Sequence, residues 1–128
     1  MAGTTRSGNS ANTPWPSEIR VFKSAGRLEV DFSDGSKFVY PAELLRVESP
    51  SAEVQGHGAH KTIVAGRRYV KIEGIEEVGN YAIRILFDDG HDSGIYSWAY
   101  LHDLGRRQER VWDEYLMALS QRGLSRDP

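Results

Sequence analysis

A strand pattern interrupted by Asp-Gly occurs twice in this chain of 128 residues and constrains its fold more than any other feature. The first copy is VDFSDGSKFVYPAELLR at 30–46, and the second is ILFDDGHDSGIYSWAYLHD at 85–103. Each has an alternating strand, an Asp-Gly turn, a second strand, an aromatic residue and a short helical stretch. Two copies are too few for a solenoid. We therefore expect one α+β domain, mostly antiparallel β, with two pseudo-repeated hairpin-plus-short-helix halves and a C-terminal helix.

The two Asp-Gly pairs predict hairpin turns. Asp34-Gly35 and Asp89-Gly90 suit a two-residue type I′ loop, in which both central positions need a positive φ. Between the phenylalanine before the turn and the tyrosine after it, the second copy (Phe87–Tyr96) has one residue more than the first (Phe32–Tyr40). We place this insertion at 92–94, where Gly94 can adopt a β-bulge conformation.

The composition along the chain predicts where the domain begins and ends. Residues 1–14 are small and polar, which predicts a disordered tail. The domain is predicted at 15–122, and residues 123–128 are expected to fray. A first strand is predicted at 18–23, and the irregular segment 47–69 is predicted to be a long loop with at most one short strand.

Two helices are predicted towards the end of the chain. Ser97 can cap a short helix over 97–105 that Gly105 ends. A longer helix follows and ends near Gly123. The residues of its apolar stripe that we expect against the sheet are Val111, Trp112, Tyr115 and Leu119.

Composition narrows the class of protein. A chain of this length is expected to form one domain. The formal net charge of −2 argues against nucleic-acid binding through a broad positive field. The absence of cysteine excludes disulfides, thiolate catalysis and thiolate-bound zinc or iron–sulfur clusters on this chain. No apolar run reaches membrane-spanning length, and the first residues lack the apolar region of a secretory signal. We therefore expect a cytoplasmic protein without a membrane or nucleic-acid partner.

The residues of the second repeat carry a resemblance to a known family. The segments SPSAEVQGHG at 49–58 and VGNYAIRILFDDGHDSGIYSWAYL at 78–101 resemble the DUF971 family, also called the gamma-butyrobetaine-hydroxylase-like N-terminal domain. The resemblance extends from about Ile19 to Leu119. It implies an antiparallel, mostly β module that occurs alone in bacteria, ahead of Fe(II)/2-oxoglutarate dioxygenases, and behind P-loop ATPase carriers of iron–sulfur cluster assembly.

The resemblance also implies a metal site that this sequence does not carry intact. In the dioxygenases the module binds a structural zinc through three cysteines and one histidine. His91 matches that histidine by its place after the Asp-Gly turn. The cysteines belong to the loop after the first helix, and here that loop, RVESPSAEVQGHGAHK, contains none.

The sequence offers no complete catalytic motif. Each histidine lacks the carboxylate two residues later that a non-haem Fe(II) site uses. There is no Gly-x-Ser-x-Gly elbow and no Walker-type phosphate loop. We therefore expect that the protein is not an enzyme.

Three histidines are candidate metal ligands. His57, His60 and His91, with a carboxylate such as Glu53 or Asp92, could hold zinc or iron. The alternative is that His91 hydrogen-bonds to the loop at 48–60 and orders it, because an irregular loop has no ladder to satisfy its backbone groups. The sequence favours the hydrogen bond, since ligand spacing without cysteine is weakly specific.

Three aromatic residues after the second turn are candidates for an interaction surface. Tyr96, Trp98 and Tyr100 either fill the core or supply contact area for a partner. Base stacking on nucleic acid is disfavoured because no basic groove accompanies them.

These observations together predict a non-catalytic accessory or protein-interaction module. The resemblance implies a partner from the iron–sulfur carriers or the Fe(II)/2-oxoglutarate oxygenases, with no cofactor on this chain. The alternative is a small zinc-binding or iron-binding protein that uses His57 and His91. A homodimer is also left open.

Overall fold

The computed structural model describes residues 13–56 and 61–128 and places two sheets and three helices among them. The predicted tail at 1–14 therefore lies almost wholly outside the described residues. The elements in chain order are β1 (Pro16–Phe22), β2 (Arg27–Phe32), β3 (Lys37–Pro41), α1 (Ala42–Val47), α2 (Ala52–Gln55), β4 (Ile72–Val78), β5 (Ala82–Phe87), β6 (Ile95–Ser97) and α3 (Trp98–Gln121).

Each sheet is antiparallel and has three strands, in the order β1-β2-β3 and β4-β5-β6. The alternation of the central strands gives each sheet an apolar face, because side chains two residues apart point the same way. Strand β1 lies beside β4, and α3 contacts both β3 and β6. The predicted α+β class with antiparallel sheets is confirmed. The buried alternating residues are Leu28, Val30 and Phe32 of β2 and Ile83, Ile85 and Phe87 of β5.

Both Asp-Gly turns have the positive φ that the sequence predicted, with Gly35 at 91° and Gly90 at 90°. The predicted loop length is wrong. The Phe32 N–H donates to the Ser36 carbonyl at 2.8 Å and the Gly35 N–H donates to the Phe32 carbonyl at 3.0 Å, which closes a three-residue loop. The same pair of hydrogen bonds recurs at the second turn. This pattern is typical of a type I turn followed by a left-handed glycine.

The aspartates explain the longer loop. The Asp34 carboxylate accepts the Ser36 N–H at 2.9 Å, and the Asp89 carboxylate accepts the His91 N–H at 3.1 Å. An aspartate that hydrogen-bonds to the backbone two residues on stabilises this geometry. Hydrogen bonds from the backbone and hydroxyl of Ser36 also lower the pKa of Asp34 to about 2.

The two helices predicted at the end of the chain are one continuous helix, α3. Ser97 caps it as predicted, since its Oγ accepts the Tyr100 N–H at 3.0 Å. Gly105 does not end it. A Cβ at this position would overlap the Phe38 ring, so the glycine allows the helix backbone to lie directly against β3. The helix ends in a Schellman motif at Gly123, which has a φ of 65°.

The second half of α3 does not pack on the sheet as predicted. Tyr115 and Leu119 are buried against Val47 and the segment 63–65. The Tyr115 hydroxyl donates to the Val64 carbonyl at 2.6 Å. Val111 of the predicted stripe joins the main core, and Trp112 is half-buried and packs against both groups of buried residues. Because α3 is continuous, it extends past the short strands β3 and β6. The segment 63–65 therefore covers its C-terminal part.

Two further predictions differ from the structure. The described part of 47–69 contains the short helix α2 and no strand. Residues 123–128 are held rather than frayed: the Gly66 N–H donates to the Ser125 carbonyl at 2.9 Å and the Arg68 N–H donates to the Arg126 carbonyl at 3.0 Å. Within the described residues, no helix combines the length and apolar character needed to cross a bilayer.

The two Asp-Gly turns give the first prediction. Gly35→Ala and Gly90→Ala should each lower the free energy of unfolding by about 1–2 kcal/mol, because an L residue resists the left-handed conformation. A Cβ meets no neighbour within 4 Å at either position, so backbone strain alone is tested.

Gly74→Ala is the matched control. Gly74 also has open space around its Cβ but has no positive φ, so its replacement should not destabilise the protein. Urea unfolding of the three variants measures the difference. Equal stability of all three variants would contradict the left-handed conformation assigned to Gly35 and Gly90.

Candidate functional site

His91 lies at the centre of a polar cluster between the second turn and the segment 48–56. Its side chain is 4% exposed. Its Nε2 lies 3.0 Å from the Ser49 Oγ and 3.4 Å from the Ser51 Oγ. Its Nδ1 lies 3.8 Å from a carboxylate oxygen of Glu53. The predicted hydrogen bond from His91 to a side chain of the loop is therefore confirmed.

The sequence between α1 and α2 positions the two serines. Ser49 is fully buried, and Ser51 is nearly so. The Gln55 side-chain amide donates to the Ser49 carbonyl at 2.9 Å, which closes the segment on itself. An irregular segment of this kind needs side-chain partners for its backbone groups.

Gly94 allows the segment to approach the hairpin. A Cβ here would overlap the Ser49 Oγ, so a larger residue would push the serine away from His91. The predicted β-bulge at this glycine is wrong. Residues 91–94 lie outside any strand, and β6 pairs with β5 from Ile95 without a register shift.

Two arginines bind the turn that carries His91. The Nε atoms of Arg46 and Arg67 each lie 2.7 Å from the Asp89 carboxylate. Partial burial opposes ionisation of Asp89, but the His91 N–H and the two guanidinium groups together hold its pKa below the usual value. The buried Nη1 of Arg46 has no hydrogen-bond partner within the part of the chain that the structure describes.

Burial disfavours the charged imidazole of His91. It lowers the pKa of His91 below 6.5, and the nearby Arg46 guanidinium lowers it further, while Glu53 acts in the opposite direction. His91 is therefore neutral at neutral pH, and its imidazole forms a hydrogen bond with a serine hydroxyl.

The serines, histidine and glutamate follow the order of a hydrolase triad, but the geometry does not suit substrate attack. Ser49 has no exposed surface, and the backbone of Gly94 fills the space in front of its hydroxyl. The distance of 3.8 Å between His91 and Glu53 is long for the orienting hydrogen bond of a triad. The arrangement can order a loop.

The described residues also do not fit the zinc site that the family resemblance implies. The groups around His91 are two neutral hydroxyls and one carboxylate, whereas structural zinc is bound by thiolates and imidazoles. No group of three His, Cys, Asp or Glu side chains with metal-binding geometry occurs at 13–56 and 61–128. His57 and His60 lie outside the described residues, so their use as ligands remains a prediction.

The three aromatic candidates have different environments. Tyr96 is fully buried and belongs to the core, the alternative that the sequence left open. Tyr100 is half-buried, and its hydroxyl donates to the Glu48 carbonyl. Trp98 is half-buried at the surface, and its indole N–H donates to the Asn80 carbonyl at 2.8 Å.

Trp98 belongs to an aromatic patch that sequence reasoning did not identify. We define the aromatic patch as Trp15, Tyr81 and Trp98, which line an open cavity of about 310 Å³. Trp15 is 58% exposed and Tyr81 is 55% exposed. The position of Tyr81 directly after the Gly79-Asn80 turn was the available signal, because residues at a turn seldom reach the core.

The hydrogen bonds of His91 give a second prediction. His91→Ala should leave residues 48–56 with faster amide hydrogen exchange, because the segment loses the side chain that holds it to the hairpin. Amides in 107–119 of α3 should keep their protection and serve as the internal control. Unchanged exchange at 48–56 would contradict the role of His91.

The same histidine predicts a pH dependence in the wild-type protein. Because the folded state holds the pKa of His91 below its unfolded value, the stabilisation is complete above about pH 6.5 and is lost as the pH falls towards the folded pKa. Protection at 48–56, corrected for intrinsic exchange rates, should fall below about pH 6.5. Greater protection of residues 48–56 at lower pH would contradict this prediction.

Comparisons with known proteins agree with this fold. The family model described as gamma-butyrobetaine hydroxylase-like, N-terminal, matches residues 19–102. Two solution NMR structures are similar to the chain, one with 43% identity and a TM-score of 0.81, covering 91% of this chain and 93% of that one. The other has 42% identity and a TM-score of 0.79, covering 98% and 92%.

A crystal structure of a protein of unknown function from Acidithiobacillus ferrooxidans ATCC 23270, of the DUF971 family, is also similar. Its identity to the chain is 36% and its TM-score is 0.59, over 73% of this chain and 92% of that one. No curated protein matches the chain. The family model covers well over half of the sequence, and the chain therefore belongs to the DUF971 family of gamma-butyrobetaine hydroxylase-like N-terminal domains.

Proposed function

We propose that this chain is a non-catalytic accessory module that binds a partner protein through the aromatic patch. The partner class is a protein of a metal-cofactor system, either an iron–sulfur carrier or an Fe(II)/2-oxoglutarate oxygenase. The family description supports the choice of class, because it names the module as the N-terminal part of hydroxylase-like proteins.

The exposure of two large rings at one cavity carries the proposal. Trp15 and Tyr81 each leave more than half of their surface to solvent, although the domain has a full core elsewhere. Large aromatic side chains bury much area on binding and lose little conformational entropy, and they dominate interface hot spots. Exposed apolar patches on a small domain commonly mark interaction sites.

The patch is also preorganised. The Trp98 indole is oriented by its hydrogen bond to the Asn80 carbonyl. Trp15 is fixed at the backbone, because its N–H donates to the Ser33 hydroxyl at 3.1 Å and its carbonyl accepts the Ser33 N–H at 2.8 Å. Side chains on a rigid backbone lose less freedom when a partner binds.

The polar cluster supports the non-catalytic part of the proposal. The neutral imidazole of His91 makes its hydrogen bonds to Ser49 and Ser51 inside the protein. A general base needs to reach a proton of the substrate, and the His91 side chain is only 4% exposed.

Direct binding measurements test the proposal. The chain should bind a purified iron–sulfur carrier or oxygenase from the same organism. Calorimetry measures the affinity of the complex. Tyr81→Ala should weaken the complex at least tenfold, or about 1.4 kcal/mol, because a hot-spot ring is removed.

Tyr69→Ala is the matched control. Tyr69 is a tyrosine of similar exposure, at 68%, that does not line the aromatic patch, so its removal should leave affinity unchanged. Equal affinity of the two variants would contradict the patch as the docking surface. A stoichiometric metal in protein purified without a tag would favour instead the metal-binding alternative that uses His57 and His91.

A further inference from the structure

Residues 124–128, which we call the C-terminal arm, lie against a groove between α1 and α3. Arg126 of the arm contacts Glu43 of α1 and Trp112 of α3. The arm is separated from the aromatic patch, which is built from other elements. Its contacts therefore concern a second surface of the protein.

Glu43 recognises Arg126 with the geometry of a dedicated guanidinium site. The Arg126 Nε lies 2.9 Å from the Glu43 Oε2, and the Nη2 lies 2.7 Å from the Oε1. Two parallel hydrogen bonds of this kind match the fork of arginine and cannot be formed by lysine. The Glu43 side chain is only 6% exposed, so that the carboxylate depends on a cation in this place.

Trp112 provides the second element of arginine recognition. The Arg126 guanidinium carbon lies 5.2 Å from the centre of the Trp112 ring, which is within the range of a cation–π contact. A planar guanidinium held by a carboxylate on one side and an indole on another is selected by both charge and shape.

The backbone of the arm is bound by main-chain hydrogen bonds. The N–H groups of Gly66 and Arg68 donate to the carbonyls of Ser125 and Arg126, at 2.9 and 3.0 Å. The two acceptors are consecutive residues and the chain bends at Arg126, so the arm lies against the groove as a bent segment and not as an added strand. The Arg68 side chain forms an ion pair with Asp127, which selects an acidic residue after the arginine.

The groove extends beyond the arm. A cavity of about 370 Å³ remains next to Arg126, and its walls include the exposed carboxylates of Glu109 and Asp113. This cavity leaves room and negative charge for a ligand longer than the arm, with a second cationic residue.

The arm is attached in a way that permits exchange. None of its side chains belongs to the apolar core, and Leu124 is 43% exposed. Its anchor is Arg126, which is 30% exposed at the side chain. The Schellman motif ends α3 with hydrogen bonds from the N–H groups of Gly123 and Leu124, so residues 125–128 can leave the groove without unwinding the helix.

We propose that this groove is a binding site for an arginine-bearing peptide segment of a partner protein, and that the arm is its intramolecular occupant. The ligand is a segment with an arginine followed by an acidic residue, which takes the place of Arg126 and Asp127. The arm keeps the buried Glu43 carboxylate paired until the partner segment replaces it.

The test uses the full chain with Arg126→Ala, in which the anchor of the arm is removed, and the acetylated peptide Leu-Ser-Arg-Asp-Pro as the probe. The variant should bind this peptide at least tenfold more tightly than the wild-type protein, because its arm no longer competes. The same peptide with lysine in place of arginine should bind at least tenfold more weakly. Adding Glu43→Gln to the variant should abolish the preference for arginine.

A second variant covers the case in which Arg126→Ala does not fold. Arg126→Lys keeps a cation beside Glu43 and should bind the arginine peptide at least threefold more tightly than the wild-type protein, since lysine cannot form the paired hydrogen bonds.

Three outcomes would overturn the proposal. They are equal binding of the arginine and lysine peptides, binding of neither peptide to the folded variants, and a wild-type dimer that dissociates in the Arg126→Lys variant. The last would assign the groove to the arm of a second copy of this chain.

Discussion

Two buried tyrosine hydroxyls join the two sheet-and-helix units of the fold, and the remaining structure depends on them. The Tyr40 hydroxyl of β3 donates to the Leu101 carbonyl of α3, and the Tyr96 hydroxyl of β6 donates to the Leu45 carbonyl of α1, each at 2.6 Å. Both rings are fully buried, and burial raises the pKa of both hydroxyls. An unpaired buried hydroxyl or carbonyl costs about 1–3 kcal/mol, so each sheet requires the helix of the other unit.

This exchange of hydrogen bonds also positions the polar cluster. The bond from Tyr96 fixes the end of α1, and Ser49 lies two residues after the last residue of α1. Ser49 is thereby held where His91 meets it after the second turn. The cluster orders the segment 48–56, and the two surfaces that we propose for partners lie elsewhere, at the aromatic patch and at the groove occupied by the arm. A small domain can in this way keep its histidine buried and neutral while presenting aromatic and acidic surfaces.

The sequence predicted the features that depend on neighbours along the chain. Strand alternation, the positive φ of Gly35 and the Ser97 cap all follow from local chemistry. The prediction that His91 would hold the loop rested on the family resemblance, which places this histidine against that loop, and on the need of an irregular segment for side-chain partners. Prediction from the sequence failed where a residue depends on a contact with a distant residue. Gly105 makes room for the Phe38 ring and does not mark the end of a helix. The arm is bound by the buried Glu43. The exposure of Trp15 likewise depends on how distant parts of the chain meet, whereas the place of Tyr81 directly after a turn was a local signal that was not used.

Native-state hydrogen exchange of the Tyr40→Phe variant tests most directly whether the two sheets form one cooperative unit. The substitution keeps the ring and removes only the hydroxyl, so the Leu101 carbonyl loses its hydrogen bond from β3 and keeps the one within α3. If the exchanged hydrogen bonds make the sheets interdependent, the slowest amides of β2 and of β5 should lose the same free energy of protection, about 1–3 kcal/mol. A loss confined to β2, with the protection of β5 unchanged, would contradict this account.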